Sequence, residues 1–139
     1  MTYIQNGIVT EMRDGELMPV PLKAGAVVLV GTFALVDDTG FAVASTAAIA
    51  ATQKVVGAWD GSADNTTGED GDVLATARRK KQFLFRNSKT DPVTQAQFGE
   101  DVFVEDNQTV AKTTGAGLPV AGKFMGFDTQ FTDCVWVEI

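Results

Sequence analysis

The chain has 139 residues with 18 acidic and 11 basic side chains, no histidine and one cysteine, for a formal net charge of −7. Its length predicts one domain, and 45% hydrophobic against 21% charged residues excludes a disordered chain. The acidity argues against nucleic acid as a partner, whose binding draws on counterions released to Lys and Arg. The single Cys134 excludes an internal disulfide or a multi-cysteine metal cage, and the lack of histidine removes the usual general base of Ser and Cys nucleophiles.

Fourteen glycines, nine phenylalanines and many valines and threonines favour short strands joined by tight turns, so a mainly β fold is expected, a small barrel or sandwich with one short helix. Residues 1–21 carry scattered apolar side chains (Tyr3, Ile4, Ile8, Val9) and end in Met18-Pro19-Val20-Pro21, where the prolines disfavour helix; they read as an extended N-terminal arm ahead of a β-rich domain over residues 22–139. Val27-Val28-Leu29-Val30, bounded by glycines, predicts a core strand buried on both faces. Phe33 to Val36, the turn residues Asp37-Asp38-Thr39-Gly40 and Phe41-Ala42-Val43 predict a hairpin. The alanine-rich stretch 45–52 suits either a short helix capped by Ser45 or a closely packed loop.

Lys54 to Trp59 reads as a strand, followed by an exposed polar loop over residues 60–72. Extended patterns resume at 73–77 and 82–86, where Phe83 and Phe85 share one face. Asp91-Pro92 predicts a helix of at most two turns, with Asp91 as N-cap and Gly99 at its end. Short strands follow at 102–104, 110–112 and 122–127, with Asp106-Asn107 as a turn, and residues 135–139 close the chain as a strand expected to be buried on both faces. Lys54-Val55-Val56-Gly57 and Lys123-Phe124-Met125-Gly126 share a pattern, which either marks an internal duplication or reflects two strands that end at glycine.

Each chemical motif has a plainer reading. Asp60, Ser62 and Asp64 begin like a calcium loop, yet Asn65 stands where the sharp turn wants glycine and Gly71 where a bidentate glutamate should close the shell; a solvated acidic loop is preferred, with no metal and no cofactor. Arg78-Arg79-Lys80-Lys81 is the one basic concentration, read first as a solvated bend or edge and otherwise as a surface for docking protein. Cys134 has no histidine to activate it. No phosphate loop or dinucleotide fingerprint is present, so an enzyme is not expected. The longest apolar stretch, 24–36, is too short and interrupted to span a bilayer, and the N-terminus has no basic and apolar leader pattern, so synthesis in the cytoplasm is expected.

The order of Lys23-Ala24-Gly25-Ala26-Val27-Val28-Leu29-Val30-Gly31, Val56-Gly57, Gly99-Glu100-Asp101-Val102-Phe103-Val104, Gly122-Lys123-Phe124-Met125-Gly126 and Val135-Trp136-Val137 resembles the capsid-decoration (cement) proteins of tailed bacteriophages over most of residues 23–139. The resemblance implies a homotrimer on the outer surface of the virion that binds the major capsid protein and braces neighbouring capsomers. Capsid contact is then expected from Tyr3, Ile4, Ile8 and Val9, because an extended arm can add a strand to a sheet edge, and from Arg78, Arg79, Lys80 and Lys81. Contacts between subunits are expected from Val135, Trp136, Val137 and Ile139. The alanine-rich stretch, the basic run and the helix candidate depart from the family pattern. Competing expectations are another virion part, such as a tail-tube or head-completion protein, and a carbohydrate-binding or adhesion module, which needs aromatics exposed on one face and for which Tyr3, Trp59 and Trp136 are too scattered in sequence.

Overall fold

Alternation along one strand, β3 (Phe33–Val36), organises the molecule: in a computed structural model that describes residues 3–139, all four of its side chains are buried. Successive side chains on a strand point to opposite faces, so Phe33 and Leu35 enter one apolar cluster while Ala34 and Val36 enter another. This strand is therefore buried on both faces. The expected candidate at 27–30 forms only the two-residue β2 (Val27–Val28), whose partner is β5 (Ala63–Asp64); Leu29 and Val30 lie exposed as the chain turns at Gly31, which has a φ of +83°.

The fold is mainly β, as the composition predicts. One unit is an open sheet in the order β1 (Leu17–Pro21), β6 (Leu74–Arg78), β4 (Lys54–Trp59), β3. The other consists of β7 (Gln82–Asn87), β8 (Asp101–Asp106), β9 (Thr109–Ala111), β10 (Val120–Phe127) and β11 (Cys134–Glu138). These five pair in a closed ring, β10–β11–β7–β9–β8, with every ladder antiparallel except β7–β9. Phe33 stacks on Phe85 of β7, ring centroids 4.0 Å apart and planes 19° from parallel, which ties the open sheet to the ring.

Several expectations are corrected. The arm is shorter than residues 1–21, because Leu17–Pro21 pairs with β6 in spite of its prolines. The Leu22 amide donates to the Val73 carbonyl, and the alternation of an antiparallel ladder then turns the nitrogens of Pro19 and Pro21 away from β6, where a missing N–H is harmless. The hairpin turn forms, with the Gly40 amide donating to the Asp37 carbonyl, but its return strand is reduced to single bridges at Ala42. The stretch 45–52 is a loop. The helix expected from Asp91 is a single 3-10 turn, Gln95–Gln97. Asp91 does not cap it because its carboxylate accepts from the amide and hydroxyl of Thr113, while the Asn87 side chain holds the Val93 backbone in both directions. Gly57 and Gly126 are not equivalent: Gly57 pairs with Ala34 in the open sheet, whereas Gly126 has a φ of +120° in the irregular part of β10. The two similar four-residue patterns therefore do not form a structural repeat.

Loop 60–72 is exposed along most of its length but contains a buried polar staple. The Asn65 side-chain amide donates to the carbonyls of Lys23 at 3.0 Å and Glu69 at 2.9 Å, and more weakly to that of Leu22. Its backbone also exchanges hydrogen bonds with Gly25 and Ala26. Removing the amide strands carbonyls in the interior, so Asn65→Ala is expected to lower stability by about 2–3 kcal/mol and Asn65→Asp by more, as read from urea unfolding. The two clusters share β3 and should unfold together. In single-tryptophan variants keeping Trp59 of the open sheet or Trp136 of the ring, the fluorescence transitions should coincide; separate midpoints would mean two independent units.

Candidate docking site: the arm and its root

The basic run 78–81 is the place where the chain crosses from the open sheet to the ring, since β6 and β7 belong to different sheets. Arg78 lies opposite Leu17 of β1 on one side and Ala58 of β4 on the other. Its guanidinium donates to Glu16 at 2.9 Å and to Asp60 at 3.0 Å, joining three strands through one side chain. Lys81 reaches the same Glu16 carboxylate at 2.9 Å, the Arg79 amide donates to the Glu16 carbonyl, and the Arg79 guanidinium donates to the Gly15 carbonyl at 2.6 Å. The run is a solvated bend between two sheets, exposed from Arg79 to Lys81, and three of its four side chains bond to Glu16 or Gly15. It clamps the root of the N-terminal arm.

Electrostatics follow from this arrangement. The ion pair with Lys81, reinforced by Arg78, holds the Glu16 carboxyl below the usual carboxylate range, and Asp60 followed by Glu16 raises the Arg78 guanidinium further. Other shifted groups hold turns elsewhere: Lys23 and Thr39 hold Asp37 at about 2, Thr66 lowers Asp64, and Thr113 lowers Asp91. Burial and then Asp133 push the Cys134 thiol up, away from a reactive thiolate. In the calcium-like loop, Asp60 faces Arg78, the Ser62 hydroxyl accepts from the Val30 amide, and Asp64 accepts from Thr66, so the three oxygens serve three separate local bonds.

Beyond the root, every residue from 3 to 14 is exposed, with Val9 at 91% and Met12 at 93%. Tyr3, Ile4, Ile8 and Val9 thus lie together on an arm that its own domain does not cover, and Met12 joins them; the sequence reading overlooked this methionine among charged neighbours. The expected subunit contacts fare differently. Val135 and Val137 are closed inside the ring at 0% exposure, so they are not available to another subunit, and the last strand is fully buried on one face only. Trp136 and Ile139 remain half-buried. Trp59 lies inside the open sheet's core and cannot share an aromatic platform with Tyr3 and Trp136.

A second surface feature lies beside the root. A groove of about 960 Å³ runs between the start of β4, the start of β10 and the end of β11, lined among others by Lys54, Val55, Lys80, Leu118, Val120 and Ile139. A third collects half-exposed aromatics at the other end of β10, where Phe98 and Phe127 flank the buried Phe124 with centroids 6.0 and 5.1 Å from it. No family model, curated protein or solved structure matches this chain.

Because the folded state lowers the Glu16 pKa, the clamp contributes stability above the ordinary carboxylate pKa and loses it as pH falls through the lowered value. Glu16→Gln should raise the hydrogen-exchange rate of the Arg79 amide at neutral pH. The wild type should approach the variant's rate, after correction for intrinsic exchange, as Glu16 is protonated in acid. Equal exchange in both proteins at neutral pH would show that the carboxylate does not hold the root.

Proposed function

We propose that this chain is a structural virion protein, a cement molecule that binds the outside of a tailed-phage capsid and stabilises the head by linking neighbouring positions of the shell. The observation that carries the reading is an exposed arm with five large apolar side chains, rooted by ion pairs on a β body. Free apolar chain in water is a liability unless a partner covers it. The clamp sets where the arm leaves, so a covered arm transmits force between its neighbour and the domain. The sequence resemblance to decoration proteins points the same way, with the major capsid protein as partner. Within this reading Arg78, Arg79 and Lys81 serve the arm's root, and the contacts with neighbours fall to Tyr3, Ile4, Ile8, Val9 and Met12.

An extended segment from Tyr3 to Asp14 spans roughly 40 Å, about three times the radius of gyration near 14 Å expected for the remaining domain. The test is co-sedimentation with expanded phage heads that lack decoration. Wild type should saturate at a fixed stoichiometry, and the double substitution Ile8→Asp with Val9→Asp, at positions exposed in the free chain, should weaken retention at least about tenfold. Absence of binding to heads would sink the proposal, and rings or tubes formed by the protein alone would assign it to the tail.

A further inference from the structure

We infer that Asn6-Gly7 is a site of spontaneous deamidation, and that the conversion disables an arm that has not docked. The disabling rests on reading the arm as the docking element; the site itself does not. In the reaction the Gly7 backbone nitrogen gives up its proton and attacks the carbonyl carbon of the Asn6 side chain. A five-membered succinimide closes and ammonia leaves. Water then opens the ring at one carbonyl or the other, so that amide and water become aspartate or isoaspartate and ammonia, with no oxidant or reductant involved.

The chain has four asparagines, and the structure separates this one from the other three. The attacking nitrogen belongs to the following residue, and a hydrogen-bonded N–H is both harder to deprotonate and fixed in direction. After Asn65 the Thr66 amide donates to Asp64 Oδ1 at 2.8 Å, and after Asn107 the Gln108 amide donates to Asp106 Oδ1 at 2.9 Å. After Asn87 the Ser88 amide donates to the Val110 carbonyl at 2.9 Å. The Asn65 and Asn87 side chains are tied as well, the first to the carbonyls of Lys23 and Glu69 and the second to the backbone of Val93. Neither the Asn6 side chain nor the Gly7 amide has a hydrogen-bond partner among the described residues, and both residues are exposed. Glycine leaves that nitrogen unshielded and its backbone least restricted in the angles at which it can attack.

The position of Asn6 gives the reaction its consequence. In an extended arm, Ile4, Asn6 and Ile8 share one face. A new carboxylate there would stand between two apolar side chains, and covering it with a partner's surface costs desolvation that the amide does not. Isoaspartate also routes the main chain through the former side chain. The extra backbone atom breaks the alternation that relates Tyr3 and Ile4 to Ile8 and Val9, so a paired arm loses its register. An arm already added to a partner's sheet edge has its backbone held, as Ser88 is held here, and is protected. The conversion therefore falls on undocked copies.

The experiment incubates the full chain at mildly alkaline pH, free and bound to heads, and follows its peptides by mass spectrometry with enzymatic labelling of isoaspartate. Free protein should convert Asn6 at least about tenfold faster than Asn65, Asn87 or Asn107, and Gly7→Ala should slow Asn6 by about tenfold or more. A Cβ at Gly7 would meet nothing within 4 Å, so that variant tests the chemistry without disturbing packing. Head-bound protein should convert Asn6 more slowly than free protein. In co-sedimentation, Asn6→Asp should weaken retention at least about tenfold more than Asn6→Gln, which changes the side chain without charging it. Conversion at Asn6 no faster than at Asn107 overturns the site. Equal conversion on and off heads, or Asn6→Asp retained as well as Asn6→Gln, overturns the disabling. If wild type ignores heads, the cement reading fails and the disabling falls with it, whereas rapid conversion at Asn6 still establishes the site.

Discussion

Burial of β3 on both faces is the constraint from which the architecture follows. A strand with apolar side chains on both sides must be covered twice, and the chain covers it with two differently built units, an open sheet and a closed ring. Phe33 on one face meets Phe85 of the ring, while Ala34 and Val36 on the other pack with Trp59, Leu22 and Val28. Small residues share that second cluster: Ala42, Ala75 and Ala77 let β6 and the 41–43 segment approach closely enough to enclose the indole. The ring closes its own ladders and so has no free edge, and the 41–43 segment bonds to Leu35 and Val36 beside β3. The remaining edge of the open sheet is β1, which pairs with β6 alone, and there the chain has placed two prolines.

That edge explains where the arm begins. β6 can approach β4 because position 57 is glycine: a Cβ there would lie 2.5 Å from the Arg78 carbonyl oxygen. The close approach sets Arg78 between β1 and β4, within reach of both Glu16 and Asp60. A packing requirement in the sheet therefore fixes the clamp, and the clamp fixes the arm's departure. Lys80 completes the corner with a φ of +63°, its amide donating to the Ile139 carbonyl, so the root of the arm, the sheet crossing and the end of the last strand share one small region.

The strands were legible in the sequence where local pattern and burial agree. The segment 54–59 and the shared face of Phe83 and Phe85 follow from apolar alternation and glycine punctuation, and both form as expected. Errors arose where a side chain finds a partner distant in sequence. Asp91 looks like a cap until Thr113, twenty-two residues on, takes its carboxylate. Arg78 and Lys81 look like free charge because Glu16 and Asp60 stand far away in the chain. Val27 to Val30 look like a core strand because a continuous apolar run carries no sign of which residues turn outward. Asn65 reads from the sequence only as a fault in a calcium loop, and nothing local signals that its amide gathers carbonyls from residues 23 and 69.

The candidate site was half legible for the same reason. Exposure of Tyr3, Ile4, Ile8 and Val9 is consistent with a segment whose apolar residues lack the regular spacing of a helix or strand, and the sequence conveys that much. It does not convey the groove, which is assembled from β4, β10, the 118–119 loop and the chain's last residue, segments with no common pattern. Nor does it convey that Ile139, on the same face as Val135 and Val137 and packed against the same cluster, also lines the groove. Ring closure accounts for both roles: β11 lies between β7 and β10, the residues it turns inward are enclosed by Phe83, Phe85 and Phe124, and Ile139 just past the strand's end packs on that cluster while lining the groove beside Lys80. A terminal strand can thus serve the core along its length and a surface as well at its tip, and only the fold decides where the second role joins the first.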